Sequence, residues 1–227
     1  MEIITWFTAV GAAAQILFAS RMLVQWVLSE RARAVVNPAL FWWLSLLASL
    51  LMSFYGYLRH DLAIMLWQLI SYYIYIYNLK LKGQLARLNI LITVFLVAAP
   101  IVLLVSEWQG PEEFAALFLN DEHIPYELLA LGFVGQALFT LRFVYQLYAS
   151  YRLKVSVLPP AFWVISLIAC LMVQVYGVFR LDVVLVFGQA GGLITYTRNI
   201  MLYRKARTKQ GEAVEPESKT DEKSAAK

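Results

Sequence analysis

The chain has 227 residues, 61% hydrophobic and 15% charged, with a formal charge of +4 and a mean hydropathy of +0.64. Soluble domains carry roughly 25% charged residues, so this composition excludes a soluble globular domain. The basic residues lie between apolar runs rather than in a patch, which argues against a nucleic-acid partner, and the one cysteine, Cys170, permits no intramolecular disulfide.

Apolar runs of about 20 residues match the helical length that crosses ~30 Å of hydrocarbon. They predict seven spans at roughly 3–28, 38–58, 61–80, 88–106, 126–149, 159–179 and 182–203. The first lacks a basic leader and is too long for a signal peptide, so it is expected to remain as a span. The fourth, LNILITVFLVAAPIVLLV, is smooth, and its Pro100 is tolerable as a kink in a membrane helix. Segment 107–125 is acidic and reads as an exposed loop with an interfacial helix, and 206–227 as a disordered tail. The last run is followed by that short charged tail alone, so no soluble catalytic domain, and no enzyme activity, is expected.

Residues 11–81 recur as 132–202 at a fixed offset of 121, without a gap. The identical pairs are largely polar, aromatic, Pro or Gly: Gly11/Gly132, Gln15/Gln136, Phe18/Phe139, Arg21/Arg142, Gln25/Gln146 and Ser29/Ser150. Further along they include Pro38/Pro159, Phe41/Phe162, Trp42/Trp163, Ser45/Ser166, Gln68/Gln189, Tyr75/Tyr196 and Asn78/Asn199. Staying in lipid requires apolar surface, not the same Gln and Arg twice, so the repeat marks both architecture and site. The expected plan is an all-α membrane protein of two parallel three-helix repeats joined by a connector helix. Its units are 1–82, first repeat; 83–125, connector helix and outer loop; 126–205, second repeat; and 206–227, tail. The first, third and fifth loops and the C-terminus hold Arg31, Arg33, Lys80, Lys82, Arg87, Arg152, Lys154, Arg204, Lys205, Arg207 and Lys209. Basic loops stay inside, so the N-terminus is expected outside and the C-terminus in the cytoplasm.

At about 100° per residue, Gln15, Phe18, Arg21, Gln25 and Ser29 share about a third of the first helix's circumference, as Gln136, Phe139, Arg142, Gln146 and Ser150 do on the fifth. Gln68, Tyr75 and Asn78 share a face of the third helix, and Gln189, Tyr196 and Asn199 one of the seventh. These stripes are expected to face the bundle interior as a polar cleft opening on the cytoplasmic side. Arg21 and Arg142 lie well inside their spans, where an arginine costs roughly 2.5–3.5 kcal/mol on insertion scales, and no Asp or Glu lies at comparable depth. Two readings stand: the guanidiniums snorkel to phospholipid phosphates or helix C-terminal carbonyls, or they bind an anionic phosphate or pyrophosphate of a substrate. Arg198 adds a third cation near the end of the seventh helix.

Other features read as structural. The Arg59/Asp61 and Arg180/Asp182 units are expected caps and interfacial ion pairs. Pro38 and Pro159 suit first helical turns, and Trp42 and Trp163 suit interface anchors, with sugar-stacking platforms as the alternative. His60 and His123 stand alone, so neither a metal nor another cofactor is expected. Where the first repeat has Trp67 and Ile70-Ser71 the second has Gly188 and Gly191-Gly192, which permits close approach or a bend.

The strings GAAAQILFASRMLVQW, NPALFWWLSLLASL and RHDLAIMLWQ, with GFVGQALFTLRFVYQLYAS, PPAFWVISLIA and RLDVVLVFGQAGGLITYTRN, resemble the lipid A biosynthesis N-terminal domain family. Both copies carry Q-x-x-F-x-x-R-x-x-x-Q, P-x-x-F-W-x-x-S and a D-x-x-x-x-x-x-Q, Y-x-x-N ending. The resemblance implies kinship with PQ-loop and SWEET-like transporters, whose three-plus-one-plus-three plan agrees with the topology above. It also implies that Asn78 and Asn199 resemble the substrate-contacting asparagines of the SWEET third and seventh helices. A disaccharide-synthase label would, on this view, come from family naming. The expected function is a multi-pass transporter or flippase in the bacterial inner membrane. Its substrate would be a lipid-linked anionic intermediate, such as a polyprenyl-phosphate sugar or lipid A precursor, in envelope glycolipid synthesis. The alternative is a non-transporting subunit that recruits or positions an envelope glycosyltransferase. Expected partners are membrane lipids, the lipid-linked phosphate sugar and such a glycosyltransferase.

Overall fold

The computed structural model describes residues 6–60, 62–108, 110, 112, 125–179, 181 and 183–214. Among these the chain forms seven α-helices and one 3-10 turn, with no strand. They are α1 (Trp6–Ala32), α2 (Ala39–Leu58), α3 (Leu62–Leu81), α4 (Ile90–Glu107), α5 (Tyr126–Leu153), α6 (Pro160–Phe179) and α7 (Val183–Val214). Five of them, α1, α2, α4, α5 and α6, are long and apolar enough to cross a membrane. The expected spans at 61–80 and 182–203 are helical as α3 and α7 but are not among the five. Tyrosines, Gln68, Asn78 and Lys80 dilute the apolarity of α3, and Thr195, Thr197, Arg198, Asn199 and a basic end that of α7. Helix α7 continues through 206–214, which the sequence assigns to a disordered tail; Lys, Arg, Ala and Gln there are good helix formers. The acidic segment 107–125 and residues Asp61, Arg180, Asp182 and His123 fall largely or wholly outside the described residues.

Helix α2 packs between α1 and α3, and α6 between α5 and α7. The third helix of each unit meets the first helix of the other, α3 on α5 and α1 on α7, giving two seams. Helix α4 lies on α2 and α3. Polarity is inverted relative to a water-soluble protein. Arg21, Gln25, Asn78, Arg142, Gln146 and Asn199 are buried, while Ile90, Leu91, Phe95, Val102 and Val105 of α4 are exposed. Apolar surface outside and paired polar groups inside are what a hydrocarbon solvent demands.

The repeat extends into the backbone. Arg33 (φ 51°) and Lys154 (φ 55°) turn the chain after α1 and α5, and His60 (φ 54°) and Leu181 (φ 53°) after α2 and α6. Each pair is separated by 121 residues, so duplicated left-handed turns persist at non-glycine positions that cost about 1–2 kcal/mol each. Pro38 and Pro159 stand just before α2 and α6 rather than inside them. Their carbonyls accept from Phe41 N at 3.2 Å and Phe162 N at 3.0 Å, closing each first turn. Gly11 and Gly132 allow α1 and α5 to cross tyrosine rings. A Cβ there would lie 3.0 Å from Tyr55 and 2.8 Å from Tyr176.

Pro100 explains how α4 is attached. Proline lacks the N–H that would bond the carbonyl four residues earlier, so the Leu96 carbonyl has no helical donor. Tyr72 Oη donates to it at 2.7 Å, and Tyr73 Oη donates to the Val97 carbonyl at 2.7 Å. At the far end the buried Glu107 carboxylate lies 2.5 Å from His60 Nδ1, so His60 is a latch for α4 rather than a lone group. Tyr72→Phe is expected to lower unfolding stability in detergent by about 1–2 kcal/mol, the cost of leaving that carbonyl bare. In a Pro100→Ala background, where the new alanine supplies the missing N–H, the same substitution should cost markedly less.

Candidate functional site

The repeated arginines are inside the bundle, not at its surface. Arg21 is 8% exposed and Arg142 7%. Arg21 Nη1 donates to Ser45 Oγ and Tyr75 Oη, each at 3.0 Å, and Arg142 Nη1 donates to Tyr196 Oη at 2.9 Å. Ser45 in turn donates back to the Phe41 carbonyl and Ser166 to that of Phe162, which fixes both hydroxyls on their own helix.

Each guanidinium stands in an aromatic box. The Arg21 Cζ lies 4.7 Å from the Phe18 ring centroid, 5.5 Å from Phe41, 5.6 Å from Tyr75 and 5.7 Å from Phe143. The Arg142 Cζ lies 4.5 Å from Phe139, 4.9 Å from Phe143, 5.4 Å from Phe162 and 5.5 Å from Tyr196. Phe143 serves both boxes and so places the two cations on one ring. Among the described residues neither arginine has a carboxylate within ion-pair distance. A desolvated cation–π contact contributes about 2 kcal/mol, which offsets much of the insertion cost but leaves the positive charge uncancelled.

One turn further along α1 and α5 stand the amides. Gln25 Nε2 donates to Asn199 Oδ1 at 2.8 Å and Asn199 Nδ2 returns a bond to Gln25 Oε1 at 3.1 Å. The other seam repeats this, with Gln146 Nε2 to Asn78 Oδ1 at 2.8 Å and Asn78 Nδ2 to Gln146 Oε1 at 3.1 Å. Nε2 of Gln25 and Gln146 also reaches Ser29 and Ser150 at 2.9 and 2.8 Å. All four amides are 0% exposed. The expected cleft opening on this side is therefore shut: each glutamine of one repeat clasps an asparagine of the other. Beyond them Asn37 bonds Ser156, whose hydroxyl donates to Asn78 at 2.7 Å. Lys82 Nζ caps the Asn37 carbonyl at 2.5 Å, with Tyr203 capping Leu158 at the matching place. Burial pushes the Lys82 ammonium below the ordinary lysine range.

Several sequence-predicted residues lie elsewhere. Gln15 and Gln136 are exposed; each sits about 120° from the arginine round its helix, at the edge of the stripe. Gln68 accepts from Ser49 at 2.9 Å within its own repeat, and the Gln189 side chain lies outside the described set. Arg198 is not a free cation. Its Nη2 donates to Glu30 Oε2 at 3.0 Å and its Nε to Oε1. At the other seam the same two positions hold Tyr77 and Tyr151, with ring centroids 6.5 Å apart. Trp42 and Trp163 are 0% exposed and so are not interface anchors. Each packs on rings of an arginine box: Trp42 on Phe41 and Tyr75, Trp163 on Phe162 and Tyr196. Sequence reasoning missed this role although both tryptophans, both phenylalanines and both serines are duplicated.

The seams also differ in cover. Beside α1 and α7 runs an open groove of about 390 Å³ lined by Trp26, Leu193, Ile194, Thr197, Arg198 and Met201. The matching positions on α3 include Tyr72, Tyr73 and Tyr77, the first two fastened to α4.

The sequence model described as Lipid A Biosynthesis N-terminal domain matches residues 10–80 and again 131–201, the two repeats. Curated relatives include proteins named lipid-A-disaccharide synthase from Chlamydia pneumoniae, 25% identical over 86% of this chain, and Chlamydia felis, 28% identical over 87%. A third, from Chlamydia trachomatis serovar D, is 26% identical over 88%. The chain spans about a third of the length of these relatives, 33% to 35%. The expectation of no enzyme, with a synthase label arising from naming alone, is overturned by these relatives, all of which carry an enzyme's name. No solved structure matches the chain significantly.

Interhelical hydrogen bonds in bilayers contribute about 0.6–2 kcal/mol. Gln146→Ala and Asn78→Ala should each lower unfolding stability in detergent by about 1–2 kcal/mol. In a double-mutant cycle the pair should lose less than the two separate losses together.

Proposed function

Because the chain belongs to the Lipid A Biosynthesis N-terminal domain family, we propose that it is a multi-pass bacterial membrane module acting on a lipid-linked anionic intermediate of lipid A or related envelope glycolipid synthesis. In this reading it holds the intermediate's phosphate between the two repeats and moves the head group across the bilayer. The observation that carries the reading is the pair of buried guanidiniums, Arg21 and Arg142, facing one Phe143 ring with no carboxylate at ion-pair distance among the described residues. Two uncancelled charges in a low-dielectric interior favour an anion there strongly, and a guanidinium fork suits phosphate geometry. The α1/α7 groove supports the lipid part: an apolar trough on the outward face can take a hydrocarbon chain.

The transport step draws on the duplication. Two three-helix units joined by the connector α4, parallel and with the N-terminus outside, would rock against each other. The reciprocal Gln–Asn clasps are then the contacts that part on one side of the membrane. A second reading, favoured by the synthase name of the relatives, keeps the lipid site but has the module present the intermediate to a glycosyltransferase active site instead of flipping it. Reconstitution separates them: the first expects a labelled head group to change leaflets in vesicles holding this chain alone, the second expects no leaflet change and a faster sugar transfer when the transferase is supplied.

Both readings share one prediction. Arg21→Gln and Arg142→Gln should each weaken retention of a phosphate-bearing prenyl lipid by about tenfold or more, as for loss of a bond to a charged group. The exposed Arg87→Gln should leave it unchanged. Native mass spectrometry of the detergent-purified protein reads the difference, and equal retention by all three variants sinks the site.

A further inference from the structure

Seven buried side-chain nitrogen or oxygen atoms among the described residues have no hydrogen-bond partner, and six of them form three pairs at the repeat offset. Two pairs are donors in the arginine boxes: Nε of Arg21 and Arg142, and the indole Nε1 of Trp42 and Trp163. The third pair, Ser53 and Gln174, lies about three turns further along α2 and α6. Bare buried donors are rare, and each costs about 1–3 kcal/mol. Bare donors at the same place in both repeats are not a local accident of packing.

The tryptophans pack on the same rings as the cations. Trp42 lies 4.9 Å from Phe41 and 6.0 Å from Tyr75 by ring centroids, and the Arg21 Cζ stands over those same two rings. Trp163 lies 5.0 Å from Phe162 and 6.3 Å from Tyr196, the rings under Arg142. The four bare groups are donors only, since neither guanidinium nor indole N–H can accept. Their joint charge is two positive, and no described carboxylate cancels it.

We infer that the paired arginine boxes are a receptor for a phosphate head group bearing at least two negative charges, with the Trp42 and Trp163 indoles as its second pair of donors. Such a group is either a fully ionised phosphate monoester or a diphosphate. A neutral sugar brings hydroxyl donors that would find no acceptors among these four groups. A singly charged phosphate leaves one guanidinium unbalanced. The inference deepens the lipid-phosphate reading above and rests on it.

Three probes with one tail test it: farnesol, farnesyl phosphate and farnesyl diphosphate, titrated into the detergent-purified full chain. A phosphate monoester takes its second charge near pH 6. Farnesyl phosphate should therefore bind about tenfold more tightly at pH 8 than at pH 5. Farnesyl diphosphate, which already carries two charges at pH 5 and gains a third on its terminal phosphate by pH 8, should change far less, and farnesol should bind weakly at both. Trp42→Phe and Trp163→Phe keep a ring but delete the donor, and each should weaken diphosphate binding by about tenfold. The pH profile of the unaltered protein gives an answer even if a variant fails to fold. A flat farnesyl phosphate profile, or tryptophan variants that fold and bind as tightly as the parent, overturns the two-charge receptor while leaving a lipid-phosphate site in place. If neither phosphate outcompetes farnesol, the lipid-phosphate reading fails with it.

Discussion

A cation placed in a hydrocarbon interior must be solvated by the protein itself, and most of the polar architecture of this chain follows from doing that twice. Each guanidinium receives ring faces on several sides, with two hydroxyl acceptors from neighbouring helices for Arg21 and one for Arg142. The hydroxyls need partners of their own, which the Phe41 and Phe162 carbonyls supply for the serines. Helices α2 and α3 are thereby tied to α1 at Arg21, and α7 to α5 at Arg142. Phe143, whose counterpart in the first repeat is Met22, closes the space between them, so one side chain outside the symmetry joins the two boxes.

Around this centre the symmetry is kept at the clasps and abandoned past them. Both seams carry the same reciprocal amide clasp, because an amide in this setting needs a partner with both a donor and an acceptor. Past the clasps they diverge. One seam ends in the Glu30–Arg198 ion pair beside an open groove, the other in the Tyr77–Tyr151 contact.

Much of this was legible in the sequence because the duplication acts as an internal control. The helices of both repeats, most of their borders to within a few residues and the inward placement of Arg21, Gln25, Tyr75 and Asn78 with their mates follow from residues kept twice. What stayed hidden depended on depth and on partners across the bundle. Periodicity puts Gln15 on the arginine's side of α1 but cannot say that the stripe's edge is left outside. It places Gln25 and Asn199 on inward faces without revealing that they satisfy each other and close the cleft. Arg198 read as free because its partner Glu30 is 168 positions away, on a helix whose neighbour the sequence does not name. Trp42 and Trp163 read as interface anchors because tryptophan usually is one in a membrane chain. Only the boxes show why an indole would be needed deep inside.

The missing N–H of Pro100 has a consequence for the molecule's outline in the plane of the bilayer. By leaving one carbonyl bare, it fixes at which height and with which face α4 lies on Tyr72, and α4 then roofs one side of the bundle only. Seen down the membrane normal, two nearly equivalent halves acquire a front and a back. A hydrocarbon chain diffusing in the leaflet meets an unroofed groove from a single sector, and any neighbour that settles against α4 leaves that sector clear.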